Sequence, residues 1–533
     1  HVAIGIFFLI IYVALLQYAL WVPIHWDEGW NLCAAKNWSL NGHAGCSLSG
    51  RFTSPRLGTG DWPIFLSKAL FDLFGVFFFW PRALIVLVAC GSLFVLFHLS
   101  SVLYTKRSGY VSVVLYILVC SDPRIHPFGL ASQGYVEILL IFALLLFLFL
   151  LTKLIPLRTG PSLLLWFLLL ILIIPLLQFK IQARPFLYSL FISSAAFLFF
   201  QKRYFKSLLF ALFVPIGYFG ISHFAFIQPP YLQTGVTLEG VGTEGFYELL
   251  GLNLNPHVRL AVTVFFFKYF WLFSFVLFTA INAIKNLRFE YFGNSESSRA
   301  VGFGIFFSAG LWTLWFICLS IDFPRYYAVA VPILCVTSAG WLSKKTNDFS
   351  WTYLHDIFVI RNRSLNGLLR TVFWLSCITY GSIQIILTPF NLFHFGWDLR
   401  DENADIFRVA QFINRHSPPG SLVETYDSQF YHLLQRPFHY PQDQMNVDRI
   451  AERLDPTRPK TLYDYEKLKP DYVIVGPWSL QVFKLYADID NNPNYSLVLV
   501  KGHYSVYQRN YSSSLSDPQS GSISETEQQR SIQ

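Results

Sequence analysis

Long, uninterrupted apolar runs constrain the fold of this chain more than any other feature of its sequence. Segments such as Ile138–Leu151 and Leu163–Leu177 contain no charged residue, and such runs are too continuous for ordinary core helices. Of the 533 residues, 54% are hydrophobic and only 14% are charged, whereas soluble domains carry about 25% charged residues. The sequence therefore predicts an α-helical polytopic membrane protein.

A requirement of roughly twenty apolar residues for each span predicts about eleven transmembrane helices. The first run is longer than the apolar part of a typical signal peptide and lacks a small-residue cleavage site, so we expect it to remain as a span. The predicted spans are Val2–Trp21, Pro81–Tyr104, Tyr110–Ser121, Gly134–Leu151, Ser162–Phe179, Pro185–Phe200, Ser207–Ile227, Leu260–Ile284, Val301–Ile321, Tyr326–Leu342 and Thr371–Pro389.

The distribution of positive charge predicts the orientation. A formal net charge of +8 would suit a nucleic-acid-binding protein, but Lys and Arg concentrate in short loops between apolar runs, as membrane topology requires. If the first span leaves the cytoplasm, every inner loop is basic, while the segment Trp26–Trp80 and the region after Asn391 face outwards. We therefore expect no nucleic-acid partner, a cytoplasmic N-terminus and an extracytoplasmic C-terminal region. The inner basic residues are Lys106, Arg107, Lys153, Arg158, Lys202, Arg203, Lys206, Lys285, Arg288, Arg299, Lys344, Lys345, Arg361, Arg363 and Arg370.

The composition changes near residue 390, which predicts three parts. Residues 1–390 form the transmembrane domain, with a first outer loop over 23–80, and residues 391–511 form a small extracytoplasmic α/β domain. Residues 512–533 are rich in Ser, Gln and Glu without apolar periodicity, which predicts disorder. In the second part an amphipathic helix is expected, followed by strands and a hairpin across Lys501-Gly502. These elements are Glu402–Arg415, Ser421–Thr425, Tyr472–Val475, Tyr495–Val500 and Tyr504–Tyr507.

Two adjacent carboxylates, Asp27 and Glu28, follow the first span. Partial desolvation and mutual repulsion at a membrane surface can shift the pKa of such carboxylates. A carboxylate in this setting can act as a general base toward a hydroxyl or amine. The alternative is structural, with Asp27 capping a helix over Gly29–Trp38 and Glu28 interacting with its dipole. The pair alone leaves both interpretations open.

The residues around this pair form a longer pattern. A helical stretch, Asn31–Trp38, closes at Asn41-Gly42-His43, Gly60-Asp61-Trp62-Pro63 introduces an amphipathic helix, and Pro81-Arg82 opens the second span. This succession resembles the GT-C glycosyltransferases, in particular the protein O-mannosyltransferases and the bacterial lipid A aminoarabinose transferases. In the tail, Pro470–Gly476 resembles a strand of the outer domains of bacterial members. The sequence departs from the family at Gly-Asp-Trp-Pro, where many members have a double proline and a tyrosine.

The resemblance implies transfer of a hexose or pentose from a polyprenyl-phosphate donor to a protein, lipid or glycan acceptor. By the same resemblance, Asp27 is the expected general base, and Glu28 orients it or contacts the acceptor. Family members usually add an acidic residue near the outer end of the fourth span, where Glu137 lies. An ionisable group in an apolar span is a functional candidate; its alternative is a hydrogen-bonded structural carboxylate.

Cations are needed as well, because cleavage of a sugar–phosphate bond leaves a lipid-phosphate anion that Arg or Lys can stabilise. Arg325 lies in Pro324-Arg325-Tyr326-Tyr327, which resembles an Arg-Tyr element of the family. Arg184, Lys180 and Arg56 are the further candidates for donor-phosphate binding. The alternative for each is an interfacial anchor that reaches toward lipid headgroups.

We expect no cofactor. The acidic pair could hold a divalent cation through its carboxylates, but the sequence does not indicate a metal, and the resembled proteins with monophosphate donors do not need one. Cys33 and Cys46 share a polar loop and could pair if that loop faces an oxidising compartment.

A transporter or flippase of a lipid-linked saccharide is the alternative function, with Glu137 and Arg184 lining a pathway. Such a protein is expected to place polar residues near the membrane midplane, whereas the acidic residues here gather at one face. The resemblance of the tail to bacterial members implies residence in the bacterial inner (plasma) membrane, with membrane lipids as neighbours.

Overall fold

The structure is a computed structural model, and it describes most of the chain. The described residues are 2–45, 61–118, 120–134, 136–154, 183–223, 253–285, 289–320, 324–350, 365–441 and 463–510, with a few isolated positions between them.

Helices account for most of the described chain. Where the structure describes them, the predicted spans fall largely on helices, because an apolar segment in lipid must satisfy its backbone hydrogen bonds internally. The predicted span Ser162–Phe179 lies almost wholly outside the described residues. In chain order the helices are α1 (Val2–Trp21), α2 (Trp26–Asn41), α3 (Asp61–Phe74), α4 (Phe79–Leu103), α5 (Lys106–Leu118), α6 (Pro127–Ser132), α7 (Glu137–Leu154), α8 (Ala183–Phe200), α9 (Tyr204–His223), α10 (Pro256–Lys285), α11 (Glu296–Leu319), α12 (Ala330–Lys345) and α13 (Leu365–His416).

Three of the described helices, α4, α8 and α11, are long and apolar enough to cross a membrane. The count rises to four if α1 and α2, which meet at a bend of 95°, are taken as one broken span. The described chain is that of a membrane protein, but the predicted count of eleven spans is not confirmed. One reason is length, since α5 has 13 residues and reaches only about 20 Å, less than the apolar core of a bilayer.

Polar side chains join helices inside the apolar bundle. α4 packs against α5 and α7, and α8 packs against α9 and α11. Between α8 and α11, the hydroxyls of Ser189 and Ser308 lie 2.9 Å apart, and Ser194 donates to the carbonyl of Ala300 at 3.1 Å. Small hydroxyl residues let helices approach closely and bond across the contact.

One helix of 52 residues, α13, continues from the bundle to the C-terminal domain. It contains the predicted amphipathic segment Glu402–Arg415, and it continues across residues 390 and 391, where the sequence predicts a domain boundary. Past that point Asn403 donates its amide to the carbonyl of Leu20 at 3.0 Å. The same helix therefore enters the C-terminal domain and also contacts the end of α1.

A five-stranded sheet forms the C-terminal domain, which confirms the predicted small sheet. Its strands are β1 (Val423–Glu424), β2 (Phe438–His439), β3 (Tyr472–Val475), β4 (Tyr495–Lys501) and β5 (Tyr504–Arg509), in the order β2-β1-β3-β5-β4. β1 is parallel to β2 and β3, whereas β5 is antiparallel to β3 and β4. The predicted hairpin is present, and its turn is at Gly502-His503, because Lys501 still pairs with Tyr504. β2 was not predicted, because two residues show no alternation.

The C-terminal domain contacts α2 most closely at Gly29. A Cβ atom at Gly29 would lie 2.3 Å from the carbonyl oxygen of Ser428. The Ser428 hydroxyl donates to the carbonyl of Trp26 at 2.6 Å. Farther along α2, the Lys36 ammonium donates to two carbonyls of the turn His432–Leu434, at 2.9 and 2.8 Å. α2 is therefore fixed on the C-terminal domain along one face.

We predict that Gly29→Ala loosens this contact. The added methyl forces the two backbones apart, which should lower the free energy of unfolding by about 1–3 kcal/mol. Thermal unfolding of the detergent-solubilised protein measures the loss. Gly420→Ala is the control, because nothing lies within 4 Å of a Cβ built at Gly420. Equal melting temperatures for the two variants would contradict the close contact.

Candidate active site

Three charged residues from distant parts of the sequence meet at one end of the bundle. Asp27 lies in the first turn of α2, Glu137 lies in the first turn of α7, and Arg325 lies in the short 3₁₀ helix Pro324–Tyr327. The Arg325 guanidinium donates to the carboxylate of Asp27, and its Nε atom lies 3.9 Å from Oε1 of Glu137. The sequence predicts all three as site residues, and the structure brings them together.

The three residues differ in exposure. The side chain of Glu137 is 3% exposed, that of Arg325 is 15% exposed and that of Asp27 is 32% exposed. Glu137 also begins a helix, where the dipole favours a negative charge. A molecule that approaches the cluster therefore meets the carboxylate of Asp27 first, with Arg325 behind it.

His25, rather than Asp27, caps α2. The backbone of His25 is extended, and its ring Nδ1 accepts the backbone N–H of Asp27 at 3.4 Å. The N–H of His25 in turn donates to Oε2 of Glu28 at 3.2 Å, which completes a capping box. The structural alternative for Asp27, a helix cap, is therefore wrong, because α2 begins at Trp26. Its carboxylate pairs with Arg325 instead.

Glu28 points away from Arg325 into a buried ion pair with Arg82. Arg82 Nε donates to one oxygen of Glu28 at 2.7 Å, and Nη2 donates to the other at 2.6 Å. The Arg82 side chain is 0% exposed and also donates to the carbonyls of Val22 (2.6 Å), Pro23 (2.9 Å) and Ala19. This paired geometry is rigid, so Glu28 fixes the junction of α1, α2 and α4.

Gly134 brings the start of α7 against this junction. Its φ of +65° is in the left-handed region, and a Cβ there would lie 2.5 Å from Oε1 of Glu28. Glycine is suited to both constraints, since it has no side chain and adopts positive φ without strain. Glu137 follows three residues later and is thereby held close to Arg325.

A small recess, partly open to solvent, adjoins the junction between α2, α3, α4 and α7. Its polar lining comes from Glu28, Asn31 and Ser67, and most of the remaining wall is aliphatic. The aliphatic residues are Leu32, Leu66, Leu84, Ile85, Val136 and Leu139.

The remaining predicted cations are not joined to this cluster in the part of the chain that the structure describes. Arg184 begins α8 and donates its Nε to the carbonyl of Leu177 at 3.4 Å. Lys180 and Arg56 lie outside the described residues, so their contact with a donor phosphate stays a prediction. Cys33 is buried, and Cys46 lies outside the described residues.

His25 and Arg82 are site residues that the sequence did not identify. Desolvation lowers the pKa of His25 to about 4, with Arg325 adding to the decrease and Asp27 opposing it. His25 is therefore neutral at pH 7 and can accept the N–H of Asp27. It was missed because helix caps are usually Ser, Thr, Asp or Asn. The sequence signal was its position directly before the Trp-Asp-Glu segment.

Solved structures match the chain over nearly its whole length. ArnT from Cupriavidus metallidurans bound to undecaprenyl phosphate covers 97% of this chain and 99% of its own, with a TM-score of 0.55 and 11% identity. ArnT is a lipid A aminoarabinose transferase. This chain has the GT-C fold. The resemblance seen in the sequence is thus confirmed at the level of the fold.

Two further solved structures match the chain. The apo state of the same ArnT covers 95% of this chain and 98% of its own, with a TM-score of 0.54 and 13% identity. The archaeal oligosaccharyltransferase AglB from Archaeoglobus fulgidus, in complex with an inhibitory peptide and a dolichol-phosphate, covers 89% of this chain and 70% of its own, with a TM-score of 0.49 and 10% identity. Neither a protein-family model nor a curated protein matches the sequence.

We predict that Glu28→Gln destabilises the protein by about 3–5 kcal/mol, because it leaves the buried Arg82 guanidinium without its counter-charge. The double variant Glu28→Gln/Arg82→Met should recover part of the loss. Arg408→Gln is the control, since the Arg408–Asp405 pair is exposed on the Arg408 side and such pairs contribute about 0–1 kcal/mol. Thermal unfolding in detergent compares the variants; equal losses for Glu28→Gln and Arg408→Gln would contradict the assigned role.

Proposed function

We propose that this chain is a glycosyltransferase that moves a hexose or pentose from a polyprenyl-phosphate donor to an acceptor at the outer face of the membrane. The convergence of Asp27, Arg325 and Glu137 carries the proposal. The fold adds the donor class, because ArnT with this fold binds undecaprenyl phosphate. The acceptor is a protein, lipid or glycan with a reactive hydroxyl or amine.

Asp27 is the general base in this proposal. The acceptor hydroxyl or amine attacks the anomeric carbon of the donor sugar while the bond from that carbon to the phosphate oxygen breaks. The electron pair of the broken bond leaves with the lipid phosphate, and the acceptor proton passes to Asp27. The reaction needs a cation at the departing phosphate and a carboxylate at the acceptor. Arg325 and Asp27 supply them side by side.

Binding of the donor can break the ion pair between Arg325 and Asp27 and so make the Asp27 carboxylate available. A phosphate group competes with a carboxylate for a guanidinium through charge-assisted hydrogen bonds. When the donor phosphate binds Arg325, Asp27 is released from this ion pair and faces the acceptor. Glu137, buried on the other side of Arg325, keeps the guanidinium in place during this exchange. We propose no resident metal, because Arg325 already supplies positive charge beside the carboxylates.

The position of the cluster favours an enzyme at the outer face over a transporter. Asp27 follows the end of α1, Glu137 begins α7 and Arg325 precedes α12, so all three residues lie at helix ends. A transporter site is expected near the membrane midplane. Lys344 and Lys345 lie at the opposite end of α12. Basic residues mark the cytoplasmic side, which supports an outward-facing site.

The decisive test of this proposal is Asp27→Asn, which keeps the shape of the side chain but removes the base. Sugar transfer should fall by about 10²–10⁴-fold, measured in proteoliposomes with undecaprenyl-phosphate sugars and a panel of hydroxyl and amine acceptors. Asp72→Asn is the control, because Asp72 pairs with Lys68 on the surface of α3. Full transfer by Asp27→Asn would overturn the assignment. Movement of the lipid-linked sugar across the vesicle without transfer would favour the transporter.

Arg325→Ala should weaken donor binding more than acceptor use. A hydrogen bond to a charged group contributes about 1.5–3 kcal/mol, which corresponds to a rise of roughly 10- to 100-fold in the Kd for undecaprenyl phosphate. Binding to the protein in nanodiscs measures the change. Lys344→Ala removes a cation at the opposite end of α12 and serves as the control. An unchanged Kd would make Arg325 an interfacial anchor.

A further inference from the structure

Trp478, in the C-terminal domain, lies against the residues that begin α2. Its ring centroid is 5.9 Å from that of His25, with the ring planes at 87°, and 5.2 Å from that of Trp26. His25 is the residue whose Nδ1 accepts the N–H of Asp27. A side chain of the C-terminal domain therefore contacts the cap that sets the backbone of Asp27.

Hydrogen bonds to the Asp427 carboxylate fix the turn that contains Trp478. This carboxylate is 0% exposed and accepts the N–H groups of Gly476 and Trp478, both at 3.0 Å, and the hydroxyl of Ser479 at 2.5 Å. A Cβ at Gly476 would lie 2.7 Å from the carboxyl carbon of Asp427. The backbone of Trp478 is thus fixed to the core of the domain, so its indole has a defined position.

Other contacts between α2 and the C-terminal domain involve the backbone and the side chains of the helix itself, including the ring of Trp26 against Tyr426 and Phe483. Ser428 binds the carbonyl of Trp26, Gly29 packs on Ser428, and Lys36 binds the turn His432–Leu434. These contacts fix the axis of α2. They do not touch the imidazole of His25, which Trp478 contacts directly.

We propose that Trp478 is a positioning residue, whose indole keeps His25 in the capping geometry and thereby holds Asp27 toward Arg325. Its effect on sugar transfer rests on the proposed function, whereas its effect on the start of α2 does not. The C-terminal domain is then part of the machinery that orients the base.

The indole also covers one side of the His25 ring. Loss of this cover should raise the pKa of His25 from about 4 toward the ordinary value of about 6.5. Protonation then removes the Nδ1 acceptor of the Asp27 N–H and places a positive charge beside Arg325. The wild type keeps a neutral His25 down to about pH 4, whereas the variant loses it as the pH falls through the higher pKa. The charged groups that face His25 are Asp27, Glu28, Arg82, Glu137 and Arg325.

Trp478→Ala in the full-length protein tests the proposal by hydrogen–deuterium exchange of the peptide that covers residues 23–32. Exchange in this peptide should rise about tenfold, since an amide that loses a hydrogen bond of about 1–1.5 kcal/mol opens that much more often. Trp478→Phe keeps an aromatic ring and should restore protection. Val506→Ala is the matched control, because Val506 is buried in the sheet and pairs with Ile474 and Leu499 rather than with α2. It should lower the melting temperature without changing this peptide.

A second arm follows turnover against pH, together with the Kd for undecaprenyl phosphate. Trp478→Ala should lower turnover about tenfold through misplacement of the base. The acid limb of the pH profile should move to higher pH. The Kd at neutral pH should stay unchanged, because Arg325 remains. Unchanged exchange and an unchanged acid limb in Trp478→Ala would overturn the proposal. If the wild type neither binds undecaprenyl phosphate nor transfers sugar, the proposed function fails, and the exchange arm alone decides the role of Trp478.

Discussion

The buried guanidinium of Arg82 holds together the elements that carry the site. An arginine has five N–H groups, and here all five have acceptors. Two go to the carboxylate of Glu28, and three go to the carbonyls of Ala19, Val22 and Pro23. The last carbonyls of a helix lack partners within it, so Arg82 caps the end of α1 while it neutralises Glu28. This arrangement sets the sharp bend between α1 and α2 and hence the place of Asp27.

The two neighbouring carboxylates therefore have separate tasks. Glu28 is buried and fully engaged, while Asp27, one residue earlier, is partly exposed and faces Arg325. A helix turns its successive side chains by about 100°, so adjacent acidic residues cannot face the same partner. The acid pair thus consists of one buried residue paired with Arg82 and one partly exposed residue paired with Arg325.

Asp27, Glu137 and Arg325 were predicted chiefly from motifs that resemble those of the GT-C glycosyltransferases. Glu137 had a second argument, because an ionisable group in an apolar span is costly. The sequence did not predict how Glu28 is used, because its partner Arg82 lies 54 positions away and only folding brings them together. His25 was missed for a different reason: its capping role depends on backbone geometry. The C-terminal strand β3 could be predicted from its short apolar run of β-branched and aromatic residues, whereas β2 was too short. The predicted eleven spans exceeded the number of described helices that are long enough, because helix length depends on where each segment breaks.

The contact between Ser428 and Trp26 joins residues 402 positions apart in the chain. During synthesis, α1 and α2 therefore emerge long before the domain that covers them. At about 5–20 residues per second, the interval is roughly 20–80 s. Throughout that time Trp26 and Trp30 lack their aromatic partners from the C-terminal domain. We expect both side chains to lie at the membrane interface during this interval, because Trp is favoured there. The site is completed late in synthesis, so a chain that stops before the sheet would carry the charged residues without the surface that orders them.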